Sequence, residues 1–316
     1  MTARDVDLLV LGEINPDIVV RDPDPRPAFG QQERLVETVE LTVGSSSAIL
    51  ACAAARLGLR VALVGVVGDD ELGRFMLRAL TERGVDVSSC RVDPSTPTGA
   101  SVILSDGTDR AILTALGTIG AVRVDDVPVD LLGRAHHLHL GSYYLQAGAR
   151  PGLPGLFQQA RRIGLSTSVD GNWDPTGRWD SGLRELLAQT DVFFPNEVEL
   201  ARLTGADDPT DGVARLTAQA PGLTVAVKLG SDGGLVRRAD AAIVRRPALP
   251  VAAVDTTGAG DAFDAGFLLG WLERASLERC LELAVGCGSL STLGVGGVAA
   301  QPDRPTLEAA IASAIR

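Results

Sequence analysis

The sequence predicts an α/β fold: a doubly wound, mostly parallel sheet flanked by helices, with a small β-sheet attached as a lid. Three observations lead there. Short β-branched runs alternate with longer helix-like segments, two stretches at 16–42 and 97–117 break that alternation, and the composition suits one large core with at most a small appendage. The chain has 316 residues, 45% of them hydrophobic and 22% charged.

In order along the chain, Val6–Leu11 is the first strand-like run. Ser46–Leu57 and Glu71–Arg83 read as helices, with Val61–Val67 and Val85–Val92 as the strands beside them. The second half repeats the rhythm, with strands at His137–Leu140, Leu165–Val169, Val192–Phe194 and Thr224–Val227 and helices at Pro154–Ile163 and Val198–Leu203. Such βαβ repetition implies parallel strands covered on both faces, with ligands at their carboxyl ends. The exceptional stretches carry apolar alternations at Ile18–Val20, Thr98–Leu104 and Arg110–Thr114 without intervening helices, so they read as antiparallel lid strands. The proline-rich Asp22–Pro27 then reads as a turn between two of them, and 1–316 as a single domain.

Charge and cysteine usage narrow the function. A formal net charge of −11 and a pI near 4.8 disfavour a nucleic-acid or anionic-membrane surface, while leaving room for a local pocket that binds a small anion. Cys52, Cys90, Cys280 and Cys287 lack metal-ligand spacing. His136, His137 and His139 fall on one strand, where they are expected to alternate between core and solvent. The start Met1-Thr-Ala-Arg-Asp-Val-Asp has no signal-peptide pattern and no apolar run is long enough to span a bilayer, so a reducing cytoplasm is the expected location.

Three local patterns carry chemistry. Asp255-Thr-Thr-Gly-Ala-Gly-Asp261 precedes the apolar run Ala265–Leu272, so its glycines let an anion approach the free N–H groups of a helix start; a plain cap by Thr257 or Asp261 is the alternative. Lys228 is the only lysine among 28 arginines, and its place at a strand end before Gly-Ser-Asp-Gly-Gly suits either a compact charge near phosphate or a chance retention before a hairpin turn. Asn196 and Glu199 share a helix face, as oxygen ligands around magnesium or as a capping box.

Together these patterns resemble the PfkB (ribokinase-like) family of carbohydrate and nucleoside kinases over essentially the whole chain. The segment 255–261 matches the family's C-terminal signature residue for residue. The resemblance implies a ribokinase-like fold in which Gly258, Ala259 and Gly260 form an anion hole and Asp261 is the catalytic base, expected to be weak at a helix N-terminus. It places Asn15, Asp17, Gly44, Ser45, Ser46, Arg110 and Asp170 on the acceptor. It places Asn196, Lys228, Gly230, Ser231, Gly233 and Thr257 on ATP. Glu199 and Asn196 would hold Mg²⁺ through water, and Asp255 with Thr257 a K⁺ ion. A homodimer through the lid is a further implication.

Departures bear on the acceptor. In 44–58, which otherwise resembles the N-terminal signature, Ser45 replaces a glycine and Ile49 an asparagine, which predicts an apolar spot and a substrate other than ribose. Asp170-Gly-Asn-Trp-Asp174 resembles the D-x-N-x-R stretch of 2-keto-3-deoxygluconate kinases, with Asp174 where arginine would stand or as a solvated turn acid before Pro175. The expected activity is ATP-dependent phosphorylation of an alcohol on a sugar or sugar derivative. A nucleoside kinase is the alternative, and a catalytically silent sugar- or nucleotide-binding member is a third reading. No G-x-G-x-x-G follows the first strand, which disfavours a dinucleotide oxidoreductase.

Overall fold

Nine strands form the main sheet, in the order Val244–Arg246, Gly234–Arg238, Thr224–Lys228, Val192–Phe193, Ser166–Val169, Ala135–Leu140, Val6–Leu11, Val61–Val64, Val85–Asp86. This computed structural model describes residues 4–106, 110–179, 181–239 and 241–314. All pairs are parallel except two at one edge, where Gly234–Arg238 runs antiparallel to both Thr224–Lys228 and Val244–Arg246. Side chains alternate across a strand. Leu8 and Val10 therefore pack on one face with helices Ser46–Arg56, Ala259–Leu272 and Leu277–Ser291, while Leu9 and Leu11 pack on the other with Leu153–Arg162, Glu197–Thr204 and Pro209–Gln219. The chain winds outward in both directions from the seam between Val6–Leu11 and Ala135–Leu140. The loops leaving that seam are where an open α/β sheet receives a ligand.

Residues in the two exceptional stretches form a separate four-stranded sheet ordered Thr38–Val43, Pro16–Arg21, Ala100–Ser105, Arg110–Ala115. Its central pair, Pro16–Arg21 with Ala100–Ser105, is parallel and the outer pairs are antiparallel. Asp22–Pro27 lies in the connection between two of these strands, and residues 107–109 fall outside the described residues. Asp17, Val19, Ser101 and Ile103 point inward and are buried, whereas Val39, Leu41 and Leu113 are exposed on the opposite face.

Two expected strands are each broken. The main sheet keeps Val61–Val64 and Val85–Asp86, while Val66–Gly68 pairs with Arg91–Asp93 in a two-stranded ribbon. Gly65 sits at the break, where a Cβ would fall 2.6 Å from the carbonyl oxygen of Gly12. The close approach needs a residue without a side chain. The histidines alternate as expected. His136 is exposed, but His137 and His139 share a face two residues apart and are both buried, because their strand is central and its neighbour supplies Ser166 and Ser168 as hydrogen-bond partners at 2.7–2.8 Å.

Candidate active site

The segment 255–261 is a built turn. Asp255 Oδ1 accepts from the Thr257 N–H (2.9 Å) and hydroxyl (2.8 Å), and Oδ2 accepts from the Gly296 N–H (2.9 Å). Burial alone would raise the Asp255 carboxyl, but these bonds hold it below the usual carboxylate range. Gly258 caps the helix Ala259–Leu272 with φ +73°, and a Cβ there would lie 2.8 Å from Gly297 Cα. Only glycine takes this left-handed, crowded position without strain. Among the described residues, no acceptor meets the N–H groups of Gly258, Gly260 and Asp261. The N–H of Ala259 differs from expectation, since it closes the turn on the Thr256 carbonyl at 3.3 Å.

Asp261 is the third residue of that helix, facing a cluster of buried acids. Burial, then the charge of Asp170, push its carboxyl up to about 8, with Lys228 and the neighbouring Ser46 hydroxyl pulling the other way. The expectation of a weak base is thereby corrected: desolvation and a second carboxylate outweigh the helix terminus. Lys228 Nζ lies 2.7 Å from Asp170 Oδ2 and 3.4 Å from Asp264 Oδ2. Asp170, expected at the acceptor, is thus an ion-pair partner whose Oδ1 also accepts from the Asn172 N–H.

Asn196 and Glu199 form the capping box. Asn196 Oδ1 accepts from the Glu199 N–H (2.8 Å), and Glu199 accepts from the Asn196 N–H (3.0 Å) and amide Nδ2 (2.7 Å). Glu199 is buried, and desolvation with the charge of Asp170 raises it to about 7. Because each oxygen already has a protein donor, this pair fits a Mg²⁺ ion reached through water better than one bound directly. Among the described residues no group of three or more His, Cys, Asp or Glu could hold a metal ion. The adjoining turn Gly230–Asp232 links two antiparallel strands, so it is a hairpin turn; Gly230 and Ser231 are exposed and Gly233 is buried with φ +89°.

At the other end, Asn15 and Asp17 are buried beside Gly44, where a Cβ would fall 2.2 Å from Asp17 Oδ1. Burial raises the Asp17 carboxyl to about 7, opposed by the charge of Arg110. Arg110 reaches from the small sheet to donate to Thr257 Oγ1 at 2.8 Å, joining a residue expected at the acceptor to one expected at the nucleotide. Ser45 serves mainly as a helix cap: its hydroxyl accepts from the Ala48 N–H and donates to the Glu13 carbonyl. Ser46 lies beside Asp261 and accepts from Asn172 Nδ2 (3.3 Å).

Ile49, expected as an apolar spot at the acceptor, is packed in the interior. It is 3% exposed and wedges against Gly258 and Gly297, beneath the turn 255–261. Asp174 is a turn acid, but a buried one, holding Thr176 and the Trp179 N–H. Glu13 is the residue the sequence reading passed over. It is buried and accepts from Ser47 Oγ (2.9 Å), Ser142 Oγ (2.8 Å) and Gln146 Nε2 (2.6 Å), which ties the loops at the sheet seam together. The available signal was an acid at the end of an apolar strand.

Residues 6–304 match the pfkB family of carbohydrate kinases. The ATP-dependent ribose-1-phosphate kinase of Halopiger xanaduensis is 33% identical over 96% of this chain and 97% of its own length. The fructokinase of Klebsiella pneumoniae is 34% identical over 84% and 90%. Among solved structures, Arabidopsis thaliana ribokinase complexed with ribose and ATP superposes with a TM-score of 0.82 at 26% identity, covering 97% of this chain and 98% of that one.

Proposed function

The chain belongs to the pfkB family of carbohydrate kinases and is an ATP-dependent carbohydrate kinase, and from this premise we propose that Asp261 is its catalytic base, acting beside an anion hole formed by the first turn of the helix Ala259–Leu272. The observation that carries this reading is that the Asp261 carboxyl and the N–H groups of Gly258 and Gly260, which meet no acceptor among the described residues, share the first turn of one helix; burial and the charge of Asp170, which raise that carboxyl, support it. The acceptor hydroxyl oxygen attacks the γ-phosphorus, the bond to the β-phosphate oxygen breaks, and the hydroxyl proton passes to Asp261. Charge accumulating on the equatorial oxygens meets the N–H groups of Gly258 and Gly260.

Asn15, Asp17, Gly44 and Ser46 define the acceptor end of the cleft. The turn with Gly230, Ser231 and Gly233, together with Asn196 and Thr257, defines the nucleotide end. Mg²⁺ near Asn196 and Glu199 would neutralise phosphate charge. A K⁺ ion fits poorly at the side chains of Asp255 and Thr257, since both Asp255 oxygens are engaged and the Arg110 guanidinium stands against Thr257. The small sheet closes over the acceptor through the Arg110 to Thr257 contact, excluding water from the transferring phosphoryl group. Its outward apolar face, with Val39, Leu41 and Leu113, pairs with a second copy of this chain. The four free cysteines fit a reducing cytoplasm.

The acceptor is a sugar or sugar derivative. A coupled assay with Mg-ATP and ribose, fructose, ribose 1-phosphate, deoxy sugars and nucleosides identifies it, and preference for a nucleoside over every sugar would replace this reading with that of a nucleoside kinase. Asp261→Asn preserves the helix start and is expected to lower kcat at least about a hundredfold. Activity retained within a few-fold would remove Asp261 from the chemistry.

A further inference from the structure

The only lysine of the chain ends its strand with a side chain 13% exposed, held between two acids. Asp264 is fully buried one helical turn beyond Asp261. Its Oδ2 is the more distant partner of Lys228, and its Oδ1 is a buried oxygen with no hydrogen-bond partner among the described residues. An orphaned oxygen is tolerable on a neutral carboxyl and costly on an anion, and one ammonium does not balance two buried carboxylates. The lysine stem lies under the anion-binding turn: a Cβ on Gly260 would sit 3.3 Å from Lys228 Cδ.

We propose that Lys228, Asp170 and Asp264 form a positioning cluster in which Lys228 and Asp170 are the ion pair, Asp264 is a neutral acid donating to Asp170, and all three brace the first helical turn beneath Gly260. Lys228 then supports Asp261 and its turn and makes no contact with the nucleotide. Burial, together with the charge of Asp170, holds Asp264 well above the usual carboxylate range. Burial also pushes Asp170 up, but there the Lys228 charge prevails and keeps it low. Glu199 from the neighbouring helix start and His139 from the adjoining strand face the same cluster, and neither adds a positive charge: His139 is lowered to about 4 by burial. Lys228 is therefore the cluster's sole cation among the described residues.

The inference rests on Asp261 as the base, and its test separates the two ideas. Asp264→Ala, Asp264→Asn and Lys228→Met are compared with the unmodified enzyme by steady-state kinetics and by calorimetric titration with ATP. Asp264→Ala is expected to lower kcat at least about tenfold while ATP affinity stays within about threefold. Asp264→Asn keeps the shape and a donor toward Asp170, so it should recover most of that loss. Lys228→Met should lower kcat with ATP affinity within about threefold. An ATP affinity at least about tenfold weaker in Lys228→Met, with kcat retained, would make the lysine a nucleotide ligand and overturn the proposal. So would an Asp264→Asn enzyme as impaired as the alanine variant. If Asp264→Ala does not fold, the Lys228→Met titration and the kcat of Asp264→Asn still decide. Failure of the base reading shows separately, as activity retained by Asp261→Asn.

Discussion

The proton affinity of Asp261 has a direct kinetic consequence. As the proposed base, Asp261 must be ionised to accept a proton, and its carboxyl is raised to about 8 by burial and then by the charge of Asp170. At pH 7 only about one molecule in ten would carry the ionised form, so kcat/KM should climb about tenfold per pH unit below 8 and level off above about 9. Asp170→Asn removes the largest charge that raises Asp261, and it frees Lys228, whose charge lowers it. Both effects have one sign, and the acid limb should move to lower pH. The assay is a coupled ADP-release measurement of kcat and kcat/KM from pH 6 to 9.5. An Asp17→Asn control is needed because Asp17 titrates near 7 and would act on acceptor binding. A flat unmodified profile, or an acid limb that moves upward in Asp170→Asn, would refute the electrostatic account.

Three further outcomes are expected. A group whose folded pKa lies above its unfolded value gives stability that is complete below the unfolded value and lost as pH rises through the folded one; the Tm of the unmodified protein should therefore fall between about pH 4 and 8, and Asp261→Asn, lacking this loss, should be the more stable variant at pH 9 by differential scanning calorimetry. Gly258→Ala places a Cβ 2.8 Å from Gly297 Cα at φ +73°, so kcat should fall at least about a hundredfold, as when a preorganised donor is lost, and normal turnover would show that the turn is not the anion hole. Ile49→Asn buries an amide against the same turn at a cost of about 1–3 kcal/mol, so Tm should drop while the order of preferred acceptors stays the same; a changed order would return residue 49 to the acceptor pocket.

The fold was legible because its determinants are local. Apolar strands of the doubly wound sheet announce themselves by β-branched runs, and the small sheet by alternation without helices. What escaped were features set by which strand lies next to which. The hydrogen-bond partners of the buried His137 and His139 are Ser166 and Ser168, which come alongside from a neighbouring strand, a partnership no window of sequence displays. Likewise Asp170, Glu199 and Lys228 come from three separate places in the chain to meet Asp261 and Asp264 of the helix Ala259–Leu272, a meeting that no single segment of sequence displays. The signature around Asp261 could be read from spacing, whereas its proton affinity depends on the cluster that the sheet assembles.

A chain of net charge −11 that works on a polyanion faces a repulsion problem, and burial of its acids reduces it. The acids nearest the two ends, Asp17 and Glu199, are raised to about 7, and Asp261 to about 8, so near neutral pH each spends much of its time uncharged. In the proposed site the positive end comes from peptide N–H groups at Gly258 and Gly260, which need no counter-ion and do not move as charge develops. Arg110 adds a full charge from the small sheet, through its hydrogen bond to Thr257, which the proposed closure would make and break. If the proposed closure holds, Arg110→Ala should leave folding intact, raise the acceptor KM, and increase ATP hydrolysis relative to transfer, because the small sheet loses its hydrogen bond to the turn 255–261. Measuring ADP release with and without acceptor gives that ratio directly. An Arg110→Ala enzyme whose hydrolysis-to-transfer ratio and acceptor KM both match the unmodified protein would show that the contact is incidental.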